Sequence, residues 1–299
     1  MFSRWMQVGV LAILAACGAP ANGRPHLEPI VTTTVTSVSS AAVTSTAVSA
    51  VVVTAPSTTP AATPSTTVVA TTFPNPVGRV VDRVDSGRAE VALTFDAPLS
   101  DVMEARLNAR QVPSYSNDAL LATLAELDVP ATFFVAGRWA ERYPEQLGRI
   151  ASNPLWEMGS FGYGYRSFTP ACGDLVGLRL DQMSGDVERG FETLRAAGGR
   201  LVPYFRFPGQ CSDEQAIARL QPLRVTIVSG DVYSGDTTGA AASTIAAGVL
   251  SHVTSGSIVV LNMTKVGASN TEPAIRQIVA GLQAKGLRPV ALSTLLVGT

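Results

Sequence analysis

The stretch VALTFDAPL, residues 91–99, is an apolar run that delivers one carboxylate, Asp96, and follows it with Ala97. A carboxyl at the end of a buried strand is placed for proton transfer, because burial and neighbouring charge set its pKa. Further along stand Arg206 in PYFRFPG, Asp231 and Asp236 in SGDVYSGD, and Asn262 in GSIVVLNM. These could form a hydrolytic site with Asp96 as base and Arg206 as oxyanion partner. They equally suit an internal ion-pair network that only satisfies buried charge, and the sequence leaves both open. Hydrolysis without a Lewis acid lacks most of its electrostatic help, so a metal-free hydrolase is the weakest arrangement of this set.

Metal chemistry has little to draw on. The chain of 299 residues contains two histidines, His26 and His252, and three cysteines, Cys17, Cys172 and Cys211. Asp101, Glu104 and Glu157 are the donors available for an all-oxygen site for a hard cation, but nothing in their spacing demands one. The formal net charge of −1, with 15% charged and 46% hydrophobic residues, excludes a disordered polyelectrolyte. No basic stripe exists to neutralise phosphates, so nucleic acid is not an expected partner.

From about residue 79 short apolar runs alternate with helical stretches. The strand candidates are EVALTFD, ATFFVAG, WEMGSFG, PYFRFPG, RVTIVSGD, GSIVVLNM and RPVALSTLL. Between them lie NDALLATLAELD, RWAERYPEQLGRIAS, LRLDQMSGDVERGFETLRAAGG, SDEQAIARLQPL, TTGAAASTIAAGVLSHV and TEPAIRQIVAGLQAKG. Leu120, Leu121, Leu124 and Leu127, and likewise Ile275, Ile278, Val279 and Leu282, recur at helical spacing and mark core faces. Strands that are apolar throughout are buried on both faces, which means a parallel sheet covered by helices. The expected fold is α/β, a distorted (β/α) barrel of about seven parallel strands over residues 79–299. Chemistry in such barrels gathers at the C-terminal ends of the strands. Reading those ends gives Asp96, Phe161 to Tyr165, Arg206, Gly209, Asp231, Asp236 and Asn262, whereas His252, at the end of a helix leading into a strand, falls at the opposite face.

The N-terminal 78 residues read differently. Residues 1–17 carry Arg4, a short apolar stretch and LAAC, which resembles the lipobox of bacterial lipoproteins; that resemblance implies a signal peptide with lipidated Cys17. Residues 18–78 are dominated by Thr, Ser, Ala, Val and Pro, as expected for a disordered linker. The expected location is therefore outside the cytosol, with the chain anchored to the membrane through lipid alone and facing the cell wall.

Six stretches, VALTFDAPL, VPATFFVAGRWAERYPEQLGRIAS, EMGSFGYGY, PYFRFPG, SGDVYSGD and GSIVVLN, resemble in order and spacing the NodB-type polysaccharide deacetylase domain of carbohydrate esterase family four. The resemblance runs from about residue 88 to the C-terminus. It implies removal of acetyl groups from N-acetylated sugars, with a divalent metal such as zinc held by one Asp and two His, a second Asp as base and a His as acid. Asp96 keeps the base position of the family's T-F-D-D-G, but the ligand position that follows is Ala97. In place of H-S/T-x-x-x-H stands FGYGY, which puts Phe161 and Tyr165 at the two histidine ligand positions. Arg206, Pro208 and Gly209 retain part of R-x-P-x-G. Asp231 and Asp236 retain the aspartate pair, with Thr237 in place of Trp, and Asn262 takes the position of the acid.

These exchanges remove donors. Alanine and phenylalanine have none, a phenol must lose a proton with a pKa near 10, and an amide cannot protonate a leaving amine. The expectation is a family member that needs no metal cofactor and has lost turnover, a pseudo-deacetylase that binds or scaffolds cell-wall glycan such as peptidoglycan. An active N-deacetylase working by an altered route and a structural protein with a protein partner are the alternatives. Asp96, Arg206 and Asp236 are the retained catalytic positions. Phe161, Tyr163, Tyr165, Tyr233, Asp231 and Asn262 are the candidate binding residues, and the aromatic rings, with Phe168, suit either stacking on sugar or filling the barrel mouth. Cys172 and Cys211 fall in loops at one barrel face; outside the cytosol, with Cys17 taken by lipid, they are the one remaining pair and are expected to bridge, two free thiols being the alternative.

Overall fold

The computed structural model describes residues 79–85 and 87–297; Cys17, His26 and the proposed boundaries at residues 17 and 78 lie outside the described residues. Among the described residues nine strands, all pairing in parallel, form one sheet: β1 (Val80–Val81), β2 (Glu90–Ala97), β3 (Ala131–Val135), β4 (Trp156–Ser160), β5 (Leu201–Phe205), β6 (Thr226–Val228), β7 (Val232–Tyr233), β8 (Ile258–Asn262) and β9 (Arg288–Val290). Their order is β1-β6-β5-β4-β3-β2-β8-β7, with β9 paired to the start of β2. All seven strands read from the sequence are present. The two additional ones, β1 and β7, are two residues each, too short for any periodicity to reveal.

The sheet curls into an incomplete barrel, and residues 80–84 bridge its gap. Val81 pairs with Val228 of β6, while two residues on Arg83 bridges to Ser257 and the Val84 N–H donates to the Gly256 carbonyl at 2.9 Å. A Cβ on Gly256 would lie 1.6 Å from the Val84 carbonyl oxygen, and its φ is +81°, so this closure requires glycine.

β2 runs up the middle of the sheet with all eight residues buried, which explains why it is mostly apolar; its polar members Glu90, Thr94 and Asp96 are each hydrogen-bonded. Its last turn of register places Asp96 opposite Phe134 of β3 and Asn262 of β8. The helices cover the sheet as their stripes require: Leu120, Leu121, Leu124, Ile275, Ile278 and Leu282 are fully buried. Caps set their starts, with Ser100 Oγ accepting from Met103 N, Asn117 Oδ1 from Leu120 N and Asp213 Oδ1 from Ala216 N.

Two stretches depart from the sequence reading. RWAERYPEQLGRIAS is two helices, Gly137–Arg142 and Pro144–Ser152, because Pro144 forces Tyr143 out of helical geometry (φ −127°, ψ 59°) and starts a new helix as its first residue. RPVALSTLL is strand only through Val290; Leu292–Leu296 is helical, held by Ser293, whose N–H and hydroxyl donate to the buried Glu157 carboxylate at 2.9 and 2.6 Å.

Candidate active site

The C-terminal end of β2 holds the centre of the site. Asp96 is 7% exposed and Arg206, the residue after β5, is wholly buried. The Arg206 guanidinium spends every edge: Nη1 donates to Asp96 Oδ1 at 2.6 Å, Nη2 to the Ser229 carbonyl at 2.6 Å, and Nε to the Val228 carbonyl at 3.3 Å. Its carbon also sits 4.0 Å from the centre of the Phe134 ring. One side chain thus stitches the end of β2 to the turn between β6 and β7. Burial raises the Asp96 carboxyl above the ordinary carboxylate range, Arg206 pulls it back, and the nearby Asp236 carboxylate adds a smaller push upward.

Asp236 is also buried and fully engaged. Its Oδ2 accepts from Asn262 N and Thr271 Oγ1, each at 2.7 Å, and its Oδ1 from Asn262 Nδ2 at 2.9 Å. Asn262 therefore turns its amide onto Asp236. Asp231 is not brought to this group. Its carboxylate accepts from Ser257 Oγ (2.9 Å) and Ile258 N (2.7 Å), at the end of β8 opposite Asn262, and pairs loosely with Arg83. As a candidate binding residue it is misplaced, because the chain after Ser229 turns back to start β7 beside the beginning of β8.

The aromatic residues of FGYGY go to three environments. Phe161 is 1% exposed within the main core, with the Tyr165 ring packed edge-on at 4.7 Å. It offers no face to a ligand. Tyr163 points away: its hydroxyl donates to Glu141 at 3.0 Å, and the Arg189 guanidinium lies 3.4 Å from its ring centre. Two backbone N–H groups, of Tyr163 and Gly164, hold the Asp186 carboxylate. Of these three rings, only Tyr165 is close enough to feel the Asp96 charge. Burial and then the Asp96 charge push its phenol well up, against a backbone hydrogen bond at Gly209. Phe168 packs with Phe205 and Phe207 in a second, separate core cluster. For Phe161, Tyr163 and Phe168 the rings fill or clasp the fold rather than line a cleft. Tyr233 is different: it is 54% exposed.

Cys172 and Cys211 form a disulfide, joining the loop after β4 to the turn after β5. Gly209 lies beneath it, with a φ of 66° and room for no Cβ, since one would meet Cys172 Sγ at 2.4 Å. Sequence reasoning missed Gln210, Ser229 and Thr271; only their adjacency to Arg206, Asp231 and the last long helix could have drawn attention to them.

Parallel strands in this order, with an aspartate and an arginine joined across the ends of β2 and β5, agree with the resemblance carried by the motifs. Residues 83–228 match the family model described as polysaccharide deacetylase. The barrel belongs to the polysaccharide deacetylase family. The chain is 26% identical over 209 residues to a peptidoglycan-N-acetylglucosamine deacetylase of Bacillus cereus, covering 70% of this chain and 68% of that one. Among solved structures, a CE4 family pseudoenzyme from Bacillus anthracis superposes with a TM-score of 0.59 at 18% identity, covering 73% of this chain and 69% of that one. A mutant of that pseudoenzyme with restored enzymatic activity superposes equally well, with a TM-score of 0.59 at 19% identity over 73% of this chain and 71% of that one. A peptidoglycan N-acetylglucosamine deacetylase in complex with a hydroxamate-type benzamide gives 0.58 at 24% identity, over 72% and 92%.

The metal of this deacetylase family does not fit the side chains present. Ala97 and Phe161, at two of the three positions that the motif resemblance marks for ligands, are buried hydrocarbon, and Tyr165, at the third, holds its proton more tightly than an ordinary phenol. Among the described residues no group of three His, Cys, Asp or Glu side chains is gathered for a metal ion. The oxygen donors weighed from the sequence are spent elsewhere: Arg138 and Arg166 both bond Asp101, Arg138 lies 3.3 Å from Glu104, and Glu157 serves Ser293 and Thr132. His252 ends the helix that leads into β8 and bonds the Gly248 carbonyl at 2.8 Å. Two cavities, of about 800 and about 670 Å3, open elsewhere on the surface; neither is lined by Asp96, Arg206 or Asp236.

Proposed function

We propose that the domain is a polysaccharide deacetylase barrel without turnover, which binds or scaffolds cell-wall glycan such as peptidoglycan. One observation carries this reading: the three positions that the resemblance marks for ligands hold a methyl group, a buried ring and a phenol with a raised pKa, while Asp96, at the position of the base, is bonded to a buried guanidinium at 2.6 Å. Without a metal there is nothing to bring a water's pKa toward neutrality, and Asn262, at the acid's position, has no proton to give a leaving amine. The Bacillus anthracis relative, a CE4 family pseudoenzyme, and its mutant with restored activity support the idea that this fold persists without catalysis. The Bacillus cereus relative supports the choice of glycan. In this proposal the lipobox Cys17 carries the anchor and residues 18–78 hold the barrel out toward the wall.

The test combines metal analysis of purified protein, acetate release from acetylated chito-oligomers, and sedimentation with purified peptidoglycan. No bound metal, no acetate and co-sedimentation are expected. Stoichiometric zinc with acetate release would establish a working deacetylase instead, and failure to sediment would point to a protein partner. Acyl labelling lost in Cys17→Ala is the expected sign of the anchor.

A further inference from the structure

Among the described residues five large apolar side chains are strongly exposed, and Tyr233 is the only aromatic one. It is also fixed. Its hydroxyl lies 2.8 Å from Ser229 Oγ, and Ser229 Oγ lies 2.9 Å from Gln210 Oε1. Ser229 in turn is anchored through its backbone: its N–H donates to the Val81 carbonyl at 2.8 Å and its carbonyl accepts from Arg206 Nη2 at 2.6 Å. The exposed ring is therefore held from below by Arg206, which Asp96 holds in its turn. Gln210 uses one end of its amide on Ser229, while its Nε2 is screened from solvent and has no partner. Its backbone is left-handed, with a φ of 60°, a conformation non-glycine residues adopt rarely. A rigid exposed ring loses little freedom when a ligand covers it, and an amide with an unspent donor is ready for an acceptor.

From these contacts we infer that Tyr233, Ser229 and Gln210 form a sugar-binding platform. The Tyr233 ring takes the apolar face of a pyranose, and the Gln210 amide turns outward to donate to the acetamido oxygen of the same chain. This inference rests on the glycan reading above and assigns it to one wall of the barrel mouth, away from Phe161 and Tyr163. It also gives the Asp96–Arg206 pair a present role. The pair fixes the turn that carries the ring, and it would be kept for that reason in a barrel that no longer cuts.

The probes are chitotetraose, which carries acetamido groups, and cellotetraose, which does not, titrated calorimetrically into the mature full-length chain. The variants are Tyr233→Ala, Tyr233→Phe and Gln210→Ala, each checked by its melting curve. Tyr233→Ala should weaken chitotetraose at least tenfold, whereas Tyr233→Phe, which keeps the ring and loses its tether, should fall between it and the native chain. Chitotetraose should bind several-fold tighter than cellotetraose, and Gln210→Ala should erase that preference. Unchanged binding in folded Tyr233→Ala overturns the platform. Equal binding of the two oligomers by the native chain overturns the role of Gln210. If the native chain sediments with peptidoglycan but binds neither oligomer, the platform falls while the glycan reading stands; if it does neither, both fall.

Discussion

Replacing Arg206 by methionine tests the electrostatics of the barrel mouth directly. The substitution keeps much of the buried volume but leaves the Asp96 carboxylate and the carbonyls of Ser229 and Val228 without their donors. Removing one partner of a buried pair costs about 3–5 kcal/mol when the survivor stays charged. Two orphaned carbonyls alone cost roughly 2 kcal/mol. The difference between those figures is the charge, and pH isolates it. The folded-state pKa of Asp96 lies above its ordinary value because burial outweighs the pull of Arg206. A carboxyl so raised contributes most when protonated and costs stability as pH rises through its folded value. Without Arg206 the opposing pull is gone, so this cost grows and extends to higher pH. Urea unfolding of Arg206→Met should show a deficit of roughly 2 kcal/mol at pH 4 that widens to roughly 4 kcal/mol at pH 8. In a domain of this size the latter is a fall in melting temperature on the order of 10 °C. The double variant Asp96→Asn with Arg206→Met should lose the widening. A deficit below about 1 kcal/mol at pH 8, or one that does not change with pH, would refute the view that a buried ion pair fixes this end of the barrel.

Three further outcomes are expected. The combined variant Ala97→Asp, Phe161→His and Tyr165→His should acquire zinc affinity measurable by calorimetry; a folded triple variant that binds no zinc would show the family register is misassigned. Because the Tyr165 phenol is pushed up by burial and Asp96, native protein and Tyr165→Phe should ionise the same number of tyrosines in an ultraviolet titration to pH 11, and a difference of one would mean the phenol is solvated. Replacing Cys172 and Cys211 by serine should destabilise by about 4 kcal/mol in the chain-entropy model for a separation of 39 residues, and alkylation before and after reduction should differ by two thiols.

Much of the barrel is written in local pattern. Strands buried on both faces must be apolar throughout, and helices covering them must carry stripes, so β2, β3 and β8 and the helices over residues 118–126 and 271–284 follow from spacing alone. The failures are equally local in cause. VALSTLL is an apolar run too short to separate strand from helix, and only the buried Glu157, binding Ser293, decides it. Helix Asp101–Asn108 was not read at all, because only Leu107 of its eight residues is buried and no stripe marks it.

At the site, residue types were legible and directions were not. Asp96 and Arg206, 110 positions apart, meet as their motifs imply. Asp231 and Asp236 sit five positions apart, yet bind opposite ends of β8, because β7 lies between them in the chain and runs alongside β8. Phe161 and Tyr163 diverge because Gly162, at φ 74°, lets the chain change direction between them. The positions that the motif resemblance marks for metal ligands share one environment. Ala97 and Phe161, at 0% and 1% exposure, contribute hydrocarbon beside Asp96, and Arg206 is the cation that faces its carboxylate while the Asp236 carboxylate lies near. Returning an aspartate at position 97 alone would place a second carboxylate next to Asp96 with no cation for it, and like charges at that distance cannot both ionise cheaply. Each donor is useful only with the others and the ion present. The Phe161 and Tyr165 rings instead pack edge to face at 4.7 Å, an arrangement that needs no ion.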